Sequence, residues 1–259
     1  MSFEKMMQTD LLIGIEDLYF TYGSEEEIKE EKISPALKNI NLSINTNEII
    51  VLIGASGCGK TTLCRCICGI IPRVIKGRIS GSIKAFDKEI TNKDEISLAK
   101  IAEKMGIVMQ EPDNQIVMTT IEDELAFGPE NLMREPVEIR RKVDKTIERI
   151  NLMGRELDNP SKLSGGEKQR LVVGGILIMD SQILIFDEPM SNLDRIEKNR
   201  FIKYLKELKV QGKTIIIVEH DYENLDFADR WVLMKNGKIL DIGSPLKIDK
   251  EMLELELWQ

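Results

Sequence analysis

Histidine occurs once in the 259 residues, and cysteine only four times, at Cys58, Cys64, Cys66 and Cys68. A metal site there would need further ligands that the chain does not offer nearby, so the cysteines read as small buried hydrophobes. Cys58, which sits in a loop, is expected to be open to thiol reagents. Long apolar runs are also missing. None approaches the ~18 residues of a membrane span, so any membrane role is peripheral. Met1 to Leu11 carries charge and lacks the apolar core of a secretory signal, which makes the cytoplasm the expected compartment. A basic excess is absent as well: Lys+Arg 36 against Asp+Glu 44 gives a net charge of −8. That balance disfavours nucleic acid as a main partner. Internal repeats and low-complexity linkers are not found. What remains is 42% hydrophobic and 31% charged, enough for a real core in one large α/β domain or a domain with a subdomain.

The most informative stretch is Gly54-Ala55-Ser56-Gly57-Cys58-Gly59-Lys60-Thr61-Thr62. It follows the apolar run Ile49 to Ile53 and leads into a helical pattern from Leu63 to Ile70. Strand, glycine loop and helix form the setting that a phosphate-binding P-loop requires. Glycines let backbone N–H groups converge where side chains would block phosphates, and the helix adds roughly half a positive charge at its start. Lys60 can reach β- and γ-phosphates as a point charge, and the Thr61 hydroxyl can ligate Mg²⁺. A nucleoside triphosphate is the expected ligand.

Around this stretch the chain alternates strands and helices. Ile13, Ile15 and Leu18 begin a strand that ends at Tyr19 to Gly23, and the acidic segment Ser24 to Lys32 reads as a solvated loop. Ile40, Leu42 and Ile44 predict a second strand, and Gly77 to Ile90 a hairpin. Leu98, Ile101, Ala102 and Met105 predict a short helix before a strand at Gly106 to Met109. Strand signals then stop between Glu111 and Lys162, where helices are expected over Thr120 to Gly128 and Val137 to Met153. This predicts a helical subdomain over 111–162, inserted into a core formed by 1–110 and 163–259. A further helix opens at Leu163-Ser164-Gly165-Gly166-Glu167-Lys168-Gln169-Arg170, and its interior Gly174-Gly175 pair needs close packing to offset about 1 kcal/mol per glycine. Strands are expected at Ile183 to Phe186, Thr214 to Val218 and Trp231 to Met234. Helices are expected from about Leu193 to Leu208 and from Asn224 to Arg230, with a hairpin at Asn236-Gly237. The fold class is α/β: a P-loop NTPase core with a mostly parallel sheet, an N-terminal antiparallel β-subdomain and an inserted α-helical subdomain.

Two further motifs carry chemistry. An apolar strand ending in Asp187-Glu188 supplies the second half of a nucleotide site. Asp187 can hold Mg²⁺ through water, and Glu188 can orient or deprotonate the attacking water. Ser164-Gly165-Gly166 at a helix start is a second anion site with its own N–H groups and dipole. One triphosphate in a monomer has little use for two such sites. Two subunits arranged head to tail would use each against the other's γ-phosphate.

The P-loop, Gln110, the Ser164 segment, Asp187-Glu188, Ser191-Asn192-Leu193-Asp194 and His220 follow the order found in the ATPase subunits of ABC transporters, which the chain resembles over nearly its whole length. The resemblance implies an Mg²⁺-dependent ATPase. Glu188, Gln110 and His220 would be catalytic, His220 as the γ-phosphate-sensing switch, and Thr61, Gln110 and Asp187 would hold the metal. Tyr22 would stack on adenine, a contact worth roughly 1–3 kcal/mol. Gly54 to Thr62 would bind ATP from one subunit, and Ser164, Gly165, Gly166, Glu167 and Asp194 would meet it from a second. Gln110-Glu111-Pro112-Asp113-Asn114-Gln115, with Thr120 to Asn131 after it, is similar to the energy-coupling factor group, importers of vitamins and of cobalt or nickel ions. That likeness implies a dimer with an identical or different ATPase, a membrane-embedded coupling subunit and a substrate-binding membrane subunit. The chain would lie at the cytoplasmic face of the membrane. Segment 115–127 would dock on the coupling subunit through Ile121, Leu125 and Phe127, with Asp113, Glu122, Asp123 and Glu124 facing its arginines. Met190 departs from the usual small or polar residue after Glu-Pro. The end soon after Gly243-Ser244-Pro245, where many such ATPases continue, argues against a stable dimer without nucleotide. A conventional ABC importer or exporter ATPase is the nearest alternative. A soluble ABC ATPase acting on DNA or ribosomes is disfavoured by charge and by the short insert. A mere nucleotide-binding scaffold is disfavoured by Glu188.

Overall fold

The computed structural model describes residues 11–29, 33–191, 193–220 and 224–246. Asn192, Glu30, Glu31 and the expectations for both chain ends lie outside them. Alternation of apolar and polar residues makes β1 (Leu11–Tyr22), which buries Ile13, Ile15, Leu18 and Phe20. Where a solvated loop was expected, a short helix follows, α1 (Glu25–Lys29). Ser24 N donates to Glu27 Oε2 at 2.8 Å and Glu27 N donates to Ser24 Oγ at 3.3 Å, a reciprocal cap that starts the turn.

Next come β2 (Leu37–Asn45), β3 (Ile49–Ile53) and α2 (Lys60–Ile67). α2 stops short of Ile70 because Gly69 turns left-handed at φ 68°. After it the chain runs through β4 (Gly77–Ala85), β5 (Lys88–Glu89) and α3 (Leu98–Ala102). β6 (Met105–Val108) takes Met105, which was expected in the helix, as its first residue. The helices α4 (Ile121–Asn131), α5 (Pro136–Arg149) and α6 (Gly165–Leu177) precede β7 (Ile183–Asp187), α7 (Arg195–Val210) and β8 (Thr214–Glu219). β9 (Arg230–Lys235) and β10 (Lys238–Gly243) complete the described elements. Residues 224–229 form turns rather than the expected helix. Asp229 N donates to Ile49 O at 2.9 Å and its carboxylate accepts from Ile49 N at 2.7 Å, so its backbone is already committed to the sheet.

Two sheets result. An antiparallel one has the order β2-β1-β4-β5, and a six-stranded one has the order β10-β9-β3-β8-β7-β6. From β9 to β6 the second sheet is parallel, and β3, β7 and β8 are buried along their whole length, as strands covered on both faces must be. Antiparallel pairing also enters the parallel sheet at one edge, where β10 follows β9 through the expected Asn236-Gly237 hairpin. Asn236 and Gly237 both take positive φ, 52° and 81°, and fold β10 back beside β9.

A separate apolar cluster joins α4, α5 and α6 through Ile121, Leu125, Ile139, Val143, Ile147 and Leu171. This corrects the expected docking face. Ile121 and Leu125 are fully buried, while Phe127 stays exposed. The acidic residues beside them are already partnered within the chain: Glu122 with Arg140 at 2.8 Å, Asp123 with Thr120 at 2.5 Å, Glu124 with Val117 and Met118 N–H groups, and Asp113 with Lys168 at 2.5 Å. Of the glycine pair in α6, only Gly174 is closely packed. A Cβ there would sit 3.1 Å from the side chains of Ile150 and Leu125, whereas Gly175 faces open space.

Candidate nucleotide-binding site

The site grows from the end of β3. Gly54 passes so close to β9 that a Cβ would lie 2.2 Å from Met234 O, and Gly57, at φ 78°, has nothing within 4 Å. One glycine serves a close approach, the other a left-handed bend. Ala55, Ser56 and Gly57 are exposed, and Gly59 caps the start of α2. Lys60 is buried, and its Nζ donates to Gly54 O at 2.6 Å and Ala55 O at 3.1 Å. The loop thus folds around the ammonium, holding it where incoming phosphate oxygens can take over from carbonyls. Cys58, expected to be open to reagents, is instead 5% exposed, and burial pushes its thiol pKa up. Cys64, Cys66 and Cys68 are buried as expected.

At the mouth of the loop Thr61 Oγ1 donates to Asp187 Oδ1 at 3.0 Å, joining the start of α2 to the end of β7. Burial raises the Asp187 pKa, opposed by the Thr61 hydrogen bond. These are hard oxygen donors of the type that suits Mg²⁺. Among the described residues no group of three or more His, Cys, Asp or Glu could hold a metal alone. A cation here would need phosphate oxygens and water to complete its shell, which is the usual habit of Mg²⁺.

Beside this pair three strand ends converge. Glu188 follows β7 in a left-handed turn (φ 51°) and donates its N–H to Val218 O at 2.9 Å. Its Oε2 accepts from Gln110 Nε2 at 2.6 Å, and His220 Nδ1 lies 3.7 Å from the same oxygen. The C-terminal edge of a parallel sheet is where such a fold exposes its functional groups. Tyr22 lies half-buried against Phe20, and its hydroxyl hydrogen-bonds Thr62 Oγ1 at 2.9 Å, beside the P-loop helix.

The Ser164 segment is built as a helix cap. Ser164 N donates to Glu167 Oε2 at 2.8 Å and Glu167 N donates to Ser164 Oγ at 3.4 Å. Arg155 holds the other oxygen of Glu167 at 2.7 Å. Ser164 and Gly165 are exposed, and Gly165 meets nothing within 4 Å. Gly165 and Gly166 share a cleft of about 330 Å³ with Gln110 and Glu188, and no P-loop residue lines it. Asp194 does not reach the P-loop either; its Oδ1 caps α7 by accepting from Glu197 N at 2.8 Å.

Some neighbours were not legible as functional. Glu219 is buried at the end of β8 and accepts from Met190 N at 3.2 Å, while Met190 packs into the apolar core behind it. Gln169 Nε2 donates to Pro189 O, tying α6 to the turn after Glu188. An acidic residue closing an otherwise apolar strand was the available signal for Glu219.

Residues 37–191 match the ABC transporter family. A Methanosarcina mazei protein described as an ABC transporter ATP-binding protein is 42% identical over 94% of the chain, and the match covers 40% of that protein. The chain spans about two fifths of the length of the curated relatives it matches first. The energy-coupling factor transporter ATP-binding protein EcfA1 of Clostridium novyi is 38% identical over 92% of the chain and 81% of its own length. Among solved structures, CbiO1 of Clostridium perfringens, part of the ABC transporter complex cbiONQ, superposes with a TM-score of 0.78. It is 30% identical, over 95% of this chain and 94% of that one.

Proposed function

The chain belongs to the ABC transporter family, and from that premise we propose that it is an Mg²⁺-dependent ATPase subunit powering import through an energy-coupling-factor-type transporter. The observation that carries the catalytic part is the meeting of Thr61 with Asp187 and of Gln110 with Glu188, side by side at the mouth of the P-loop. Mg²⁺ held by Thr61, Asp187 and Gln110 would supply charge neutralisation at the phosphates. Lys60 binds the β- and γ-phosphates. Glu188 orients and deprotonates the attacking water, Gln110 holds the Glu188 carboxylate at one oxygen, and His220 is the γ-phosphate-sensing switch. Tyr22 offers its ring to adenine.

ATP lies between this P-loop and the Ser164-Gly165-Gly166-Glu167 cap and Asp194 of a second ATPase subunit, identical or different. The exposed, unobstructed helix start at Ser164 and Gly165 supports that reading. Residues 111–162 act as the helical subdomain, which transmits closure to a membrane-embedded coupling subunit, with a separate membrane subunit binding substrate. The chain would sit at the cytoplasmic face of the membrane. No helix among the described residues is long and apolar enough to cross it. Subfamily membership is supported by the likeness to EcfA1 and CbiO1.

Glu188→Gln tests the assignment. Hydrolysis should slow by about 10²–10⁴-fold, the usual worth of a general base, while MgATP still binds and a closed dimer accumulates on size exclusion. Near-normal turnover would remove Glu188 from the mechanism.

A further inference from the structure

One side chain outside the expected nucleotide contacts grips the strand that ends in Gln110. Gln115 Nε2 donates to Ile107 O at 2.9 Å, and Gln115 Oε1 accepts from Met109 N at 2.6 Å. Among the described residues β6 is the outermost strand of its sheet, and one of its edges has no neighbouring strand. A primary amide carries a donor and an acceptor side by side, as the peptide group of a neighbouring strand would. Gln115 therefore continues the sheet's hydrogen bonding for one residue pair, just before the backbone delivers Gln110.

The chain folds back to allow this. Residues Pro112–Asn114 form a 3₁₀ turn in which Gln115 N donates to Pro112 O at 2.9 Å and Asn114 Nδ2 donates to Glu111 Oε2 at 2.7 Å. Lys168 of α6 holds Asp113 of the same turn. On the far side Glu124 of α4 accepts from Val117 N and Met118 N at 2.9 and 2.8 Å, so the segment around Gln115 is anchored at both ends.

We propose that Gln115 is a positioning residue for hydrolysis, setting the Met109–Gln110 backbone so that Gln110 meets Glu188. The proposal rests on the roles given above to Gln110 and Glu188. It follows that losing the amide leaves nucleotide binding alone, since the Gln115 side chain bonds to the backbone of Ile107 and Met109, and lowers the rate of the chemical step. Gln115→Glu keeps an acceptor for Met109 N but has no donor for Ile107 O, and falls between wild type and alanine.

The test uses the full chain, with turnover and amide exchange measured together. In Gln115→Ala, kcat should fall about tenfold while KM for MgATP stays within about twofold, the effect of one misplaced hydrogen-bonding group. In a Gln110→Ala background the same change should have no further effect, because Gln115 acts only through Gln110. Exchange at Met109 N should quicken about tenfold in Gln115→Ala while amides of β3 keep their protection. Should the alanine variant fail to fold, Gln115→Glu carries the same comparison. Unchanged kcat, an equal loss in both backgrounds or unchanged exchange at Met109 would each overturn the proposal. If the wild-type chain hydrolyses no ATP either alone or paired with a second ATPase subunit, the functional reading falls, and Met109 exchange alone then decides whether the clamp exists.

Discussion

At Asp187 burial and function pull in opposite directions. Burial raises its carboxyl pKa, and the Thr61 hydrogen bond only partly offsets that. A carboxyl held above its unfolded value contributes stability that is present below the unfolded pKa and lost as pH rises through the folded one. Asp187→Asn keeps an acceptor for Thr61 and removes the charge. The variant should melt higher than wild type at neutral pH, and the gain should vanish in acid. It should also lose Mg²⁺-dependent nucleotide binding. Differential scanning calorimetry across pH, beside fluorescent-ATP titration, checks both. A lower melting temperature at pH 7 would mean that the charge stabilises the fold. At this scale the glycine loop was the most legible part of the sequence, because its strand–turn–helix geometry is set within nine consecutive positions. The burial of Cys58 was not legible, since a loop position says nothing of what packs over it.

Among the elements, the helix expected over Thr120 to Gly128 is found as α4, with Thr120 as its cap and an end three residues later, but its facing was misjudged. Spacing of four puts Ile121 and Leu125 on one stripe, and such a stripe looks the same whether it meets a partner or the chain's own core. Here it meets Ile139, Val143 and Leu171. Leu125→Ala should therefore behave as a core truncation, destabilising by about 2–5 kcal/mol. A chemical-denaturation midpoint measures this, and a loss below about 1 kcal/mol would return Leu125 to the docking surface. Phe127, at 41% exposed, remains available to a partner. The acidic residues of the same segment are engaged by Arg140, Thr120, Lys168 and backbone N–H groups. They hold the insert together locally, and any recruitment of outside arginines would compete with those bonds.

For the whole molecule, Gly165 and Gly166 open on a cleft that holds Gln110 and Glu188 but no P-loop residue. Hydrolysis should accordingly rise more than linearly with protein concentration, with head-to-tail pairing as the cause. Mixing Ser164→Arg with Lys60→Ala, each inactive alone, should restore part of the activity through one intact composite site. Failure of the mixture to exceed either variant would sink the in-trans pairing of this chain with itself.

By itself the sequence determined what short-range backbone chemistry can decide: the glycine loop between strand and helix, the apolar parallel strands, the Asn236-Gly237 hairpin and the Ser164 helix start. It also offered a list of candidate site residues, through the order in which motifs recur. Only the tertiary structure decided which of those residues meet. Gln110, Glu188 and His220 come from three different strand ends, and Thr61 finds Asp187 across 126 positions. It also decided that residues 224–229 leave the helical state for a bond to β3, and that Gln115 closes the edge of β6. The physical reason is one of range. Turn conformation and amphipathic period are set by neighbours along the chain, whereas facing, burial and charge pairing depend on surfaces that exist only once the sheets are formed.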